Sequence, residues 1–143
     1  DIDAALLALD RIVDEGSDGY ATIAKMKKAS LLIDRGSFDD GLSIYLDLEK
    51  NAVDQSFRDI ATILYVLNSM DKTDPETLLK KIEPLEKSKV WQSSALELKA
   101  FVLLKDNRKK LAKEVFQSIL NLKTSPSSLS TRARNLIEYL KEE

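Results

Sequence analysis

The chain has 143 residues, of which 43% are apolar and 32% are charged, and its formal net charge is −2. This length suffices for a buried core, the apolar content argues against disorder, and the slightly acidic balance disfavours nucleic acid as a partner. There is no Cys and no His, which excludes zinc sites built on thiolates or imidazoles and nucleophiles that depend on either residue. Only four Gly and three Pro interrupt the chain, and this scarcity favours helices over sheets.

Apolar residues recur at the spacing of an amphipathic helix almost throughout, and the pattern predicts eight helices. Gly16 and Gly36 end the first two helices, Ser17 or Asp18 caps the second, and Ser37 is a candidate N-cap of the third. The residues that mark the first four helices are, in chain order, Ala5, Leu6, Leu9, Ile12 and Val13; Tyr20, Ile23, Ala24, Leu31 and Leu32; Phe38, Leu42, Tyr45 and Leu48; and Phe57, Ile60, Ala61, Leu64 and Leu67.

In the second half, Asp74 followed by Pro75 is typical of an N-cap and the first residue of a helix, the fifth. Pro84 is expected to end or kink that helix early. The remaining three helices are predicted from about Trp91 to Leu104, from about Arg108 to Leu122 and from about Leu129 to Leu140.

Charge is divided unevenly along this helical chain. Residues 1–60 hold 13 acidic and seven basic side chains, a net charge of −6, whereas residues 61–143 hold 11 acidic and 15 basic side chains, a net charge of +4. This distribution is interpreted either as ordinary variation of a solvated surface or as a polarised surface that orients a partner.

An internal repeat decides between a helical bundle and an array of helix pairs. Six positions recur with the same spacing, first as Ala29, Leu32, Gly36, Phe38, Gly41 and Tyr45, then as Ala100, Leu103, Asn107, Lys109, Ala112 and Phe116. They match the pattern of the 34-residue tetratricopeptide (TPR) unit, in which small side chains let two paired helices approach and an aromatic residue fills the space beside the next repeat. The two sets are 71 residues apart, which is two repeats and three further residues, and a lengthened turn over Asn68–Asp74 accounts for those three.

The sequence therefore predicts an all-α fold: a TPR-like right-handed solenoid of antiparallel helix pairs, with about eight helices in a single domain over residues 1–143. The first predicted helix reads as the second half of an earlier repeat. Because the chain starts at Asp1 rather than Met, we expect a fragment from which an N-terminal anchor and the first helix of that repeat are absent.

Several segments, in order along essentially the whole chain, carry a more particular likeness. They are Gly19-Tyr20-Ala21 with Ala24 and Ala29, Gly36-Ser37-Phe38-Asp39-Asp40 with Tyr45, Arg58-Asp59-Ile60-Ala61, Trp91 with Ala95 and Glu97-Leu98, and Pro126 with Arg132-Ala133. In this succession the chain resembles the YfgM-like family of bacterial TPR proteins, most closely its alphaproteobacterial members. It departs from the repeat pattern at Gly41, where Ala is preferred, and at Lys109, where an aromatic residue is preferred.

The resemblance implies the periplasmic domain of a single-pass protein of the bacterial inner membrane, held by an N-terminal anchor that is absent here. It also implies a protein–protein interaction scaffold, an ancillary factor associated with the SecYEG translocon and periplasmic chaperones. An adaptor in the assembly of cell-envelope or division complexes is the alternative. An enzyme is not expected, because a carboxylate site of the Glu-x-x-His kind needs a His, and neither a cofactor nor a metal is predicted.

The first helix of each pair lines the inner curve of such an array. The repeat register places seven candidate partner-binding residues on this groove: Met26, Ser30, Arg58, Thr62, Tyr65, Glu97 and Phe101. The register puts Ser30, Thr62 or Phe101 at the position of the Asn in the carboxylate clamp of chaperone-binding TPR domains, so capture of a C-terminal carboxylate is disfavoured. For Tyr65 and Phe101, packing between repeats is an equally good interpretation.

Three further features remain open at the level of sequence. The basic cluster, Lys105, Arg108, Lys109, Lys110 and Lys113, is either a solvated face or an alternative binding surface. Trp91 fits repeat packing better than an exposed binding site. The apolar face of residues 2–13 is predicted to need a cover, which suggests a homodimer through this segment.

Overall fold

The computed structural model describes residues 1–142, and every element of secondary structure in that range is a helix. The eight helices are α1 (Ile2–Glu15), α2 (Asp18–Asp34), α3 (Phe38–Asn51), α4 (Gln55–Ser69), α5 (Pro75–Glu86), α6 (Gln92–Lys105), α7 (Lys109–Asn121) and α8 (Ser127–Lys141). The predicted fold class is therefore confirmed, and the architecture is that expected of a helical repeat. The chain divides into two compact units, Asp1–Asn68 and a second that begins at Ser69.

In the first unit, α2 packs against both α1 and α3. The chain reverses between α1 and α2, because an ion pair joins Asp3 at the start of α1 to Arg35 just after the end of α2. A buried cluster of Leu48, Ala52 and Ala61 joins α3 to α4, and Met26, Ile44 and Phe57 pack around it.

In the second unit, α6 is the central helix, because it packs against α5, α7 and α8, while α7 also packs against α8. One core cluster of this unit contains Ala100, Phe116, Ile119, Ala133, Ile137 and Leu140, all buried. Three of these residues lie on α8, so the closing helix completes a shared core rather than packing on one neighbour alone.

The two predicted repeats have the same turn. Gly36 and Asn107 are the only residues in the described range with a positive φ, at 91° and 59°. After α2, the amide of Ser37 donates to the carbonyl of Leu32 at 2.8 Å and that of Gly36 donates to Ile33 at 2.9 Å. This is the Schellman arrangement, which satisfies the last carbonyls of a helix.

After α6 the same two bonds recur 71 residues later. The amide of Arg108 donates to the carbonyl of Leu103 at 2.8 Å, and that of Asn107 donates to Leu104 at 3.0 Å. Asn is the non-glycine residue that best tolerates the left-handed conformation, which explains why it replaces Gly here. The sequence repeat is thus a repeat of backbone geometry.

The middle turn differs, as its length predicts. Residues 70–74 separate α4 from α5, and the amides of Lys72 and Thr73 both donate to the carbonyl of Ser69 at 2.9 Å. Asp74 is the N-cap of α5, where its side chain accepts from the amide of Thr77, and Pro75 is the first helical residue, as predicted. Pro84 lies inside α5, and the helix ends two residues later at Glu86.

The small residues of the repeat lie where the paired helices meet. Ala29, Ala100 and Ala112 have no exposed surface, and Gly41 is also buried. Tyr45 and Phe116, the predicted aromatic fillers, are buried as well. Ser17 and Ser37 occupy N-cap positions as predicted, but neither side chain makes a capping hydrogen bond.

Candidate protein-binding surface

The seven residues predicted to line a groove fall into two groups. Met26, Ser30, Arg58, Thr62 and Tyr65 belong to the first unit, on α2 and α4, whereas Glu97 and Phe101 belong to the second, on α6.

On α2, Met26 and Ser30 are half-buried. Met26 packs against the Leu48, Ala52 and Ala61 cluster, so its side chain contributes to the joint between α2, α3 and α4. The two predicted residues on α2 are therefore only partly accessible to a partner.

On α4, Arg58 holds the preceding loop. Its guanidinium donates to the carbonyl of Ala52 at 2.6 Å, to that of Val53 at 3.1 Å and to Oε1 of Gln55 at 2.9 Å. These carbonyls follow the C-terminal end of α3, where the helix macrodipole favours a cation. Arg58 therefore fixes the connection between α3 and α4.

The other two residues on α4 are buried. The Thr62 hydroxyl donates to the carbonyl of Arg58 at 3.1 Å, one helical turn earlier. Tyr65 is only 9% exposed. Both side chains therefore have contacts inside the chain.

On α6, Glu97 binds the closing helix through a two-pronged ion pair. Nε of Arg132 donates to Oε2 of Glu97 at 2.9 Å, and a terminal nitrogen of the same guanidinium donates to Oε1 at 3.0 Å. The Glu97 side chain is only 18% exposed. The hydrogen bond to Glu97 and the charge of Glu97 raise the pKa of the Arg132 guanidinium above the ordinary value, and the pair links α6 to α8.

Phe101, one turn beyond Glu97, packs into the core of the second unit. Its ring meets that of Phe116 edge to face, with the ring centroids 5.8 Å apart and the planes at 80°. Such pairs contribute about 0.5–1.5 kcal/mol beyond their buried area. Of the two interpretations left open for Phe101, these contacts favour packing.

The basic cluster of residues 105–113 is partly neutralised by acidic residues more than 30 positions earlier. Lys105 pairs with Asp71 in the loop before α5. Arg108 pairs with Glu76 in the first turn of α5 at 2.8 Å. Because these two ion pairs neutralise Lys105 and Arg108, the uncompensated charge of this region is smaller than the sequence indicates. Of the other members, Lys110 is exposed and Lys113 is half-buried.

An exposed apolar strip on α2 is the feature that sequence reasoning missed. Tyr20 is 70% exposed and Ile23 is 54% exposed, although the helical spacing groups both with the buried Ala24 and Leu32. Tyr20, Ile23 and Lys27 lie at intervals of three and four residues and so follow one side of the helix. The buried residues of α2 are Thr22, Ala24, Ala29 and Leu32. Tyr20 and Ile23 are additional large apolar residues, and they indicate a second apolar face that is exposed.

Trp91 is the N-cap of α6 and is half-buried, and its amide donates to Oγ of Ser88 at 3.2 Å. It occupies the same repeat position as Tyr20, 71 residues earlier. The two aromatic residues thus differ in burial although they share a place in the repeat.

Comparison of the chain with protein-family models, with curated proteins and with solved structures finds no match in any of the three. None of the helices between residues 1 and 142 is both long enough and apolar enough to cross a membrane. Within the same residues, no three carboxylates are grouped in a way that would hold a metal ion.

Proposed function

We propose that this chain is the protein-binding domain of a periplasmic scaffold, held in the bacterial inner membrane by a single anchor, that assists the SecYEG translocon and periplasmic chaperones. The observation that carries the first part is the repeated helix-turn-helix geometry at Gly36 and Asn107. Arrays of such pairs present rigid, extended surfaces on which partners bind. The translocon and the chaperones are inferred from the resemblance to the YfgM-like family.

The binding surface proposed within the first unit is the strip of Tyr20, Ile23 and Lys27 on α2, with Ser30 and Met26 at its border. Tyr is enriched among the residues that dominate binding energy at interfaces, and an exposed Ile beside it supplies apolar area. The α2 backbone that supports the strip is fixed by packing on α1 and α3. An apolar segment of a client or a chaperone, with an acidic group for Lys27, fits this chemistry.

The other predicted residues receive a supporting role in this proposal. Arg58 fixes the loop between α3 and α4, and Glu97 holds α8 through Arg132. Their substitution is therefore expected to change partner binding only through the stability or shape of the scaffold.

The test uses the full-length protein in its native membrane, solubilised mildly, with SecYEG subunits and periplasmic chaperones quantified after capture. Tyr20→Ala and Ile23→Ser should lower their recovery severalfold and leave the thermal stability within a few degrees, because both side chains are exposed. Tyr139→Ala is the matched control, since Tyr139 is a 60% exposed Tyr on α8. Equal recovery with all three variants would overturn the proposed surface, and capture of envelope-assembly or division components in place of the translocon would overturn the proposed partner.

A further inference from the structure

Two loops form one surface at the end of the second unit where α6 and α8 begin. Residues 87–91 connect α5 to α6, and residues 122–126 connect α7 to α8. Oγ of Ser93, in the first turn of α6, lies 3.4 Å from Oγ of Ser125 in the second loop, and the Ser125 hydroxyl donates to the carbonyl of Ile119 at 2.8 Å. These contacts hold the two loops side by side, and together they are called the loop surface below.

The loop surface carries cations without partners. Lys87, Lys89 and Lys123 are all exposed, and their side chains have no hydrogen-bond or ion-pair partner within residues 1–142. Neither loop contains Asp or Glu, and the first turns of α6 and α8 contain no acidic residue either. Three positive charges are therefore concentrated at this end.

The carboxylates nearest in sequence to the first loop lie near the end of α5. Glu86 forms an ion pair with Lys99 at 2.8 Å, and its side chain is only 20% exposed. Glu83 is exposed, one helical turn before Lys87. One free carboxylate does not balance three lysines, so the loop surface keeps a net positive charge.

Apolar side chains accompany these lysines. Val90 is 78% exposed, more than any other large apolar side chain in residues 1–142, and the adjacent Trp91 is half-buried. Trp is enriched at the boundary between membrane and water, and lysines are attracted to anionic headgroups there. A soluble anion would contact the lysines alone and leave Val90 in water, whereas a bilayer surface accommodates both kinds of side chain.

We propose that the loop surface docks on a membrane that contains anionic lipids. Lys87, Lys89 and Lys123 bind headgroup phosphates, and Val90 enters the boundary between headgroups and acyl chains. Each lysine near such a surface contributes about fivefold to the partition coefficient, so the three together contribute about a hundredfold. This inference goes beyond the proposed scaffold and does not depend on its partners.

The net charge of the whole chain decides how the contact is oriented. Because that charge is −2, the chain as a whole is not attracted to an anionic surface, and binding requires the local excess of cations in the two loops. The contact is therefore reversible, sensitive to salt and confined to this end of the second unit.

The fluorescence of Trp91 tests the contact directly, because it is the one Trp of the chain. Vesicles of phosphatidylglycerol and phosphatidylcholine in equal parts, with acyl chains brominated near the headgroup, should quench its emission, since bromine quenches only at short range. Brominated vesicles of phosphatidylcholine alone should not. Emission that is unchanged by the anionic vesicles, or quenched equally by both kinds, would overturn the proposal.

Co-sedimentation with the anionic vesicles compares two triple Lys→Gln variants of equal net charge. The variant at the three loop lysines should lower the partition coefficient at least tenfold. The control variant should lower it severalfold at most; it changes exposed lysines of α3, α5 and α7, namely Lys50, Lys80 and Lys110. Both should melt within a few degrees of the wild type, because all six side chains are exposed. Equal losses would show that the loops have no special part and would overturn the proposal.

A second variant separates a membrane from an acidic polypeptide. Val90→Ser should lower binding to the anionic vesicles severalfold and leave any binding to polyglutamate unchanged, because only the bilayer offers an apolar boundary. Wild-type chain that binds polyglutamate but not the vesicles would mean that the loop surface recognises an acidic protein, and the membrane proposal would be wrong.

Discussion

The carbonyl oxygen of Ala29 lies 2.8 Å from the position that a Cβ atom on Gly41 would occupy. Cγ1 of Ile33 is closer still to that position, at 2.6 Å. Helices α2 and α3 therefore cross with the backbone of one almost against the backbone of the other. Gly41 departs from the repeat pattern, which prefers Ala, because this crossing has no room for a methyl group.

Gly41→Ala should destabilise the chain by about 1–3 kcal/mol, since the cost of overpacking exceeds the gain of Ala over Gly in a helix. Gly19→Ala is the matched control. Gly19 is likewise a helical glycine, in α2 rather than α3, but no atom lies within 4 Å of its would-be Cβ, so we expect a stabilisation of about 0.5–1 kcal/mol. Urea denaturation of both variants measures the difference, and equal signs would contradict the described crossing.

Ala112 occupies the corresponding position in the second repeat and has no exposed surface. Ala112→Leu should overpack the contact between α6 and α7 and cost about 1–3 kcal/mol. Gln117→Leu, at an exposed position of the same helix, should change the free energy of unfolding by less than about 0.5 kcal/mol. An unchanged melting temperature for Ala112→Leu would show that the repeat register is wrong.

The ion pair between Glu97 and Arg132 should contribute to the attachment of α8. Arg132→Gln leaves a mostly buried carboxylate without its partner, so it should lower the melting temperature more than Arg134→Gln, which changes an exposed Arg on the same helix. High salt should reduce the difference in melting temperature between the two variants, because dissolved ions screen the ion pair in the wild-type interaction. Identical melting curves would mean that the pair does not hold the helix.

Stability at high pH should depend on Tyr45. Burial raises the pKa of Tyr45 above its ordinary value of 10.0, and the nearby charge of Asp34 raises it further. The folded state therefore retains the proton of the Tyr45 hydroxyl more tightly than the unfolded state does. The contribution of this group to the free energy of unfolding is complete below about pH 10 and is lost as the pH rises beyond that towards the folded-state pKa. The free energy of unfolding should fall less steeply between pH 9 and 11 in Tyr45→Phe than in the wild type, and parallel curves would contradict this.

The sequence predicts the helices closely because their signals are local. The sixth helix, expected from Trp91 to Leu104, extends from Gln92 to Lys105, and the fifth begins at the Asp74-Pro75 signal. The eighth begins at Ser127, two residues before the predicted Leu129, because a polar first turn carries no apolar periodicity. Spacing alone also identifies the repeat, since Gly36 and Asn107 mark the same turn.

The candidate surface is less predictable because its determinants are distant in sequence. Arg132 neutralises Glu97 from 35 residues away, and Phe116 covers part of Phe101 from another helix. Repeat register gives the side of a helix on which a residue lies, but not whether a neighbouring helix already occupies that side. The sequence did not identify Tyr20 and Ile23 as surface residues, because apolar spacing alone does not distinguish a buried face from an exposed one.

Photo-crosslinking from position 20 tests the proposed function most directly. A benzophenone side chain replaces Tyr20 in the full-length protein, and in parallel replaces Tyr139, before irradiation of intact cells. Adducts with SecYEG subunits or periplasmic chaperones from position 20, and not from position 139, are the result that a scaffold binding through α2 predicts. Absence of such adducts at position 20, or equal adducts from both positions, would contradict it.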